Sequence, residues 1–167
     1  MATPIEHRAR YVHGTDEVFA AQTDERALRA RLAHAGGSHA GIPTHETTAD
    51  GIRYTLVQGI DTAKLPGAVR RVHRGDLVVH REHTWTDHGT GRYTGTVAVH
   101  VADLPGRLTA DTEITAEGEH SVVRTRGSVA VRLPLVGGTL ENMVAEQVTR
   151  LLDAEAEFTV RWLAGRG

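Results

Sequence analysis

The sequence predicts an α+β domain, a curved antiparallel sheet wrapped around a long C-terminal helix, with two short helices after the first strand. Three observations carry this reading. Segments of period-two alternation follow one another between glycine-containing turns. A final stretch, 139 to about 163, repeats its apolar residues at helical spacing. The length, 167 residues, suits a single domain spanning 1–167. At that size a folded chain buries close to ~70% of the surface it exposes unfolded, so a sizeable core is available.

The elements follow in order. Residues 5–12 alternate, with Ile5, His7, Ala9 and Tyr11 on one face and Glu6, Arg8 and Arg10 on the other, which describes a half-buried strand. Thr15 is placed to cap a short helix whose first turn holds Asp16 and Glu17, with Val18 and Phe19 as its apolar contact. Asp24 opens a second helix through Leu28, Leu32 and Ala35, and Gly36-Gly37 stops it. Residues 39–49 form a weak strand interrupted by Pro43, and Asp50-Gly51 turns the chain into a strand at 52–58. Strands at 77–87, 92–101, 107–116 and 120–133 complete an antiparallel meander. The closing helix has about six to seven turns. Leu140, Val144, Val148, Leu151, Leu152, Phe158 and Trp162 make its apolar stripe. A sheet with one apolar face needs a cover, and only this helix is long enough to supply it.

Composition narrows the function. Hydrophobic residues at 40% and charged residues at 24% describe a globular chain rather than a disordered one. A formal charge of −2 gives no basic excess, which argues against nucleic acid as a partner. The absence of cysteine excludes disulfides and thiolate metal sites. The N-terminal residues lack the apolar run of a signal peptide, and no stretch reaches the ~20 apolar residues of a membrane span. A cytoplasmic protein is expected, with membrane contact at most peripheral.

The element order resembles the helix-grip fold of the START and polyketide-cyclase superfamily, over essentially the whole chain. The segments Ile5-Glu6-His7-Arg8, Asp16-Glu17-Val18-Phe19-Ala20, Leu65-Pro66-Gly67-Ala68-Val69-Arg70-Arg71, Thr84-Trp85, Pro134-Leu135-Val136-Gly137-Gly138 and Ala145-Glu146-Gln147 are similar to an actinobacterial branch of it, a domain of unknown function. The resemblance implies an apolar cavity between sheet and helix. It also implies a lipid, sterol, polyketide or hormone as ligand, with catalysis in a minority of members; fold alone does not choose among these.

Several residues are candidates for such a site. If Tyr11 and Val97 face inward, so do Ile5, His7, Ala9, Tyr93, Gly95, Val99 and Val101, and neighbouring strands add Leu108, Ala110, Thr112, Ile114, Val123, Val129 and Val131. Walls of such small residues leave a void or close into a filled core; the resemblance favours the void. In the strand 77–87 the face carrying Trp85 also carries Arg81 and His83. Either a bulge or a wet sheet end accommodates them, or they form the polar end of a pocket able to fix a carboxylate or phenolate. Glu155 falls inside the apolar arc of the last helix and is expected to be buried and paired with an arginine or histidine from the sheet or early helices. The residues expected to line a ligand site are Tyr11, Tyr54, Arg81, His83, Trp85, Tyr93, Val97, Met143, Gln147, Leu151 and Glu155.

Other signals are weaker. The histidines of His80-Arg81-Glu82-His83 point to opposite faces of a strand, so they cannot share an ion, and no metal site or cofactor is expected. Ser38, Ser121 and Ser128 lack the glycine pattern of a nucleophile elbow. Gly137-Gly138 reads as a flexible lead into the last helix. Arg70, Arg71, His73 and Arg74 form a basic patch on a short helix begun near Pro66, a solvated surface, a means of steering acidic amphiphiles or a docking point for an anionic membrane surface. The expected function is binding of an apolar or amphipathic small molecule. The alternatives are a cyclase- or dehydratase-type enzyme using the same cavity and a cavity-less interaction module; catalytic residues and oligomeric state stay open.

Overall fold

The computed structural model describes every residue except Met1, Gly36, Pro66, His73, Asp103, Val136 and Gly167. Its elements are β1 (Thr3–Tyr11), α1 (Thr15–Thr23), α2 (Glu25–Ala35), β2 (Gly41–Thr47), β3 (Gly51–Ile60), a 3-10 turn (Thr62–Lys64), α3 (Gly67–Val72), β4 (Leu77–Asp87), β5 (Tyr93–Val101), β6 (Gly106–Glu117), β7 (His120–Val131) and α4 (Gly137–Arg166). One seven-stranded sheet has the order β1-β7-β6-β5-β4-β3-β2, antiparallel at every pairing. With α4 against it, this is the helix-grip fold.

The sheet order explains the two early helices. β1 and β2 occupy opposite edges, so the chain must cross the full width of the sheet between them. Six strand spacings come to roughly 29 Å when flat. α1 and α2, of 9 and 11 residues, cover that span with one extended residue between them. That residue is Asp24, whose N–H donates to the Ala20 carbonyl while its own carbonyl accepts from the Leu28 N–H.

Local details correct three sequence expectations. Thr15 is not the cap of α1: Gly14 takes that place in extended conformation, and Thr15 turns inward as the first helical residue. α4 starts at Gly137, two residues earlier than its apolar pattern suggests. Nor is Gly137 a flexible lead, because its N–H donates to the Leu133 carbonyl and a Cβ there would stand 2.6 Å from the Val131 carbonyl oxygen. Pro43 is tolerated because β2 is an edge strand whose register shifts between Gly41 and Thr44. Gly36, Pro66 and His73 lie outside the described residues, so the expected helix stop is seen only at Gly37, with φ +65.

The core falls into two parts. Under α1 and α2 a dense cluster joins Val18, Leu28, Leu32, Tyr54, Leu56, Trp85, Tyr93, Ile114 and Leu163. The second cluster has Ile5, Leu108, Ala110 and Val129 at its centre, but Val97, Val99, Val144, Val148 and Leu152 around it are only partly buried. α4 packs on β1, β7 and α1, which holds it towards one side of the sheet. The half-buried apolar side chains therefore face a gap rather than one another. Among the described residues no helix is long and apolar enough to cross a membrane.

Candidate functional site

Between the sheet and α4 lies a cavity of about 600 Å³. Its sheet wall is ordered by strand register. One row of directly paired residues runs His45, Tyr54, His83, Val97, Ala110, Gly127 and Ile5, from β2 across to β1. The adjacent row runs Leu56, Arg81, Val99, Leu108 and Val129. The first row passes from aromatic and polar residues on β2 to β4 to small apolar ones on β5 to β7, and the second is aliphatic except for Arg81 on β4. The helix contributes Met143, Val144, Gln147, Val148, Leu151, Leu152 and Glu155. Gln147 is exposed and marks the rim, whereas Met143 and Leu151 are half-buried.

The strand β4 contains no bulge. It pairs in continuous register with β3 and β5, and Leu77, Arg81, His83 and Trp85 are all buried on one face. Arg81 and His83 therefore enter the interior with Trp85, as a pocket end and not a wet sheet end.

Glu155 gathers this polar end. Arg81 Nη1 donates to Glu155 Oε2 at 2.8 Å and Nη2 to Oε1 at 3.2 Å, while Arg81 Nη1 also donates to Gln58 Oε1 at 2.9 Å. From the other side, Arg31 of α2 brings its Nε to 3.4 Å from Glu155 Oε2. All three charged residues are less than a tenth exposed. Burial by itself would push the Glu155 carboxyl up, but the Arg31 and Arg81 guanidiniums overcome it and hold the group down at about 2. Burial opposes the charge of Arg81 too, and the adjoining carboxylate outweighs it, so its pKa is raised.

His83 stacks on Tyr54 at 4.7 Å between ring centroids, and its Nε2 is buried with no hydrogen-bond partner. Burial first, then the two arginines, lowers its pKa well below the ordinary value, so the imidazole is neutral. The Tyr54 hydroxyl donates to the Gln22 carbonyl at 3.0 Å and accepts from Trp85 Nε1 at 3.4 Å, which leaves its ring as the surface offered to the cavity. Burial raises both Tyr54 and Tyr11, the latter to about 12. Two guanidiniums and one carboxylate thus meet at this end beside neutral groups. The cavity combines a long apolar wall with a cationic, partly unsatisfied terminus.

Ten of the eleven candidate residues line the cavity: Tyr11, Tyr54, Arg81, His83, Trp85, Val97, Met143, Gln147, Leu151 and Glu155. Tyr93 does not. Its ring stacks on Phe19 at 3.9 Å and its hydroxyl donates to Asp16 Oδ1 at 2.5 Å, so it belongs to the packed cluster beneath α1, as does Ile114. Sequence reasoning missed Arg31, Gln22 and Gln58. Arg31 was detectable, because it shares a helical face with Leu28 and Leu32.

The basic patch keeps Arg70, Arg71 and Arg74 exposed, while Leu65 and Val69 from the same excursion line the cavity. His80 and His100 stack on each other at 5.1 Å, but among the described residues no group of three metal-ligating side chains occurs.

Comparison with known proteins fits this architecture. The chain is 30% identical over 170 residues to Uncharacterized protein Rv0481c of Mycobacterium tuberculosis, covering 98% of each. The crystal structure of TTHA0849 from Thermus thermophilus superposes with a TM-score of 0.67 at 14% identity, over 99% of both chains. Norcoclaurine synthase from Thalictrum flavum, in complex with dopamine and hydroxybenzaldehyde, gives 0.56 at 12% identity, over 100% of this chain and 89% of that one. Such identities establish the shared fold and nothing about activity. The family model described as Protein of unknown function (DUF2505) matches residues 6–163, and the chain therefore belongs to that family.

Proposed function

We propose that the protein binds an apolar or amphipathic small molecule between its sheet and α4. The observation that carries this is the cavity of about 600 Å³ with its valine- and leucine-rich walls. Small-molecule sites usually measure roughly 300–1,000 Å³, mostly apolar with a few convergent polar groups, and this one has that composition. Each Å² of ligand hydrocarbon removed from water there contributes about 25 cal/mol. Norcoclaurine synthase, which has this fold, holds two small aromatic molecules in its solved complex.

The test is binding of the neutral dye Nile red to the native protein, with displacement by fatty acids or polycyclic aromatics. Native mass spectrometry of protein purified from its own host should show a retained small molecule. A folded protein that neither binds the dye nor carries a ligand would overturn the reading.

One observation favours a second reading, catalysis in the same cavity. His83 offers a buried neutral imidazole with an unpartnered Nε2 at the cavity, the protonation state from which a general base starts. Under that reading a cyclase- or dehydratase-type turnover collapses in H83Q while ligand affinity persists. Loss of affinity and turnover together would reduce His83 to a binding residue.

A further inference from the structure

The polar end of the cavity holds more positive than negative charge. Glu155 is the carboxylate shared by Arg31 and Arg81, and it is spent mainly on Arg81, which takes both of its oxygens. Arg31 is left poorly satisfied. Its Nη1 reaches Gln22 Oε1 only at 3.5 Å, and its Nε faces Glu155 outside hydrogen-bonding geometry. A guanidinium 6% exposed and lining an apolar cavity is a costly arrangement without a full partner. The unpartnered Nε2 of His83 lines the same cavity.

We propose that the ligand is a monoanionic amphiphile, an apolar body ending in one carboxylate, with the carboxylate held by Arg31 and His83 beside the Arg81–Glu155 pair. This rests on the binding reading above and adds the class of its ligand. One anionic charge balances the surplus guanidinium. A planar carboxylate matches the fork of N–H donors on arginine, and a neutral imidazole supplies one N–H more. A phenol fits less well, because its ordinary pKa near ~10 leaves it uncharged at neutral pH. The body then lies along Val97, Val99, Leu108 and Val129 towards β7.

Matched acid and alcohol pairs test this by displacement of Nile red at pH 7.5: laurate against dodecanol for an aliphatic body, 1-naphthoate against naphthalenemethanol for an aromatic one. In at least one pair the acid should bind about tenfold or more tighter than its alcohol, and the pair that shows it identifies the body. In R31Q, which leaves Arg81 and Glu155 balanced, that preference should vanish while Nile red still binds. Equal affinities of acid and alcohol in both pairs, with the dye bound and displaced, would overturn the carboxylate and leave the binding reading standing. A preference that survives R31Q would overturn the role of Arg31. Failure of dye and all four compounds to bind would overturn both readings together. Should R31Q not fold, the wild-type comparison of acids with alcohols decides by itself.

Discussion

Arg81 in the middle of the sheet and Glu155 in the last helix, 74 positions apart, close a two-pronged ion pair of 2.8 and 3.2 Å inside the protein. The pair ties α4 to β4 across the cavity, whereas the helix otherwise packs on β1, β7 and α1. Replacing Glu155 with Gln keeps the shape and removes the charge, leaving Arg31 and Arg81 buried without a counter-ion. Urea denaturation should show a loss of about 3–5 kcal/mol. Removing Arg81 as well, in an Arg81→Met, Glu155→Leu double variant, should cost less than the single change, since only Arg31 is then left buried without a counter-ion. A single variant as stable as wild type would mean that water or a neighbouring group compensates the arginines.

The neutral state of His83 makes stability depend on pH. Its folded pKa lies well below 6.5 and its unfolded pKa near 6.5, so the unfolded chain binds the extra proton as pH falls. This contribution is complete above 6.5 and is lost as pH drops towards the folded value, at up to about 1.4 kcal/mol per pH unit. Glu155 acts in a lower window: its contribution is present above the ordinary 4.5 and is lost as pH falls towards about 2. Denaturation midpoints measured from pH 8 to 4 should fall less steeply below 6.5 in H83Q than in wild type. Identical slopes would place the buried imidazole in contact with solvent.

The elements that the sequence discloses best are those where one physical rule operates alone. In β4 an extended, β-branched and aromatic run meets neither glycine nor proline, and the strand begins and ends where that run does. α4 is misread at its start because Gly137 and Gly138 look like a break, and only the approach of the Val131 carbonyl explains a glycine there. Alternation likewise gives Tyr93 the correct face, since Tyr93, Gly95 and Val97 all point inward. It cannot say that Phe19 covers the Tyr93 end of β5 while the Val97 end stays open. Glu155 was legible from helical geometry, but its second partner was hidden among the arginines of a polar helix, where the Leu28–Arg31–Leu32 spacing was the only sign.

Val97 tests the cavity directly. It sits on β5 between His83 and Ala110 in the row that crosses the sheet, and it is only partly buried because it faces the void. An indole placed there would extend over the apolar wall. V97W should weaken Nile red binding about tenfold or more, through loss of the apolar area open to the dye, while the protein still melts cooperatively. Unchanged dye affinity in a folded V97W protein would move the binding surface away from this row.

Gly95 tests what closes the end of the cavity nearest α1. It pairs with Trp85 across β4 and β5, and a Cβ on it would stand 2.9 Å from two atoms of the indole ring. The ring cannot retreat freely, because Phe19 meets it edge-on at 5.7 Å and its Nε1 is engaged with the Tyr54 hydroxyl. Movement is open only towards the cavity that Trp85 already lines. G95A should therefore destabilise the fold by about 1–3 kcal/mol, the usual effect of overpacking. It should also change the near-ultraviolet circular dichroism of tryptophan and lower Nile red affinity as the indole shifts into the void. An alanine variant with wild-type stability, spectrum and dye binding would show that the indole yields in another direction. The contact between Gly95 and Trp85 would then not set the boundary of the cavity.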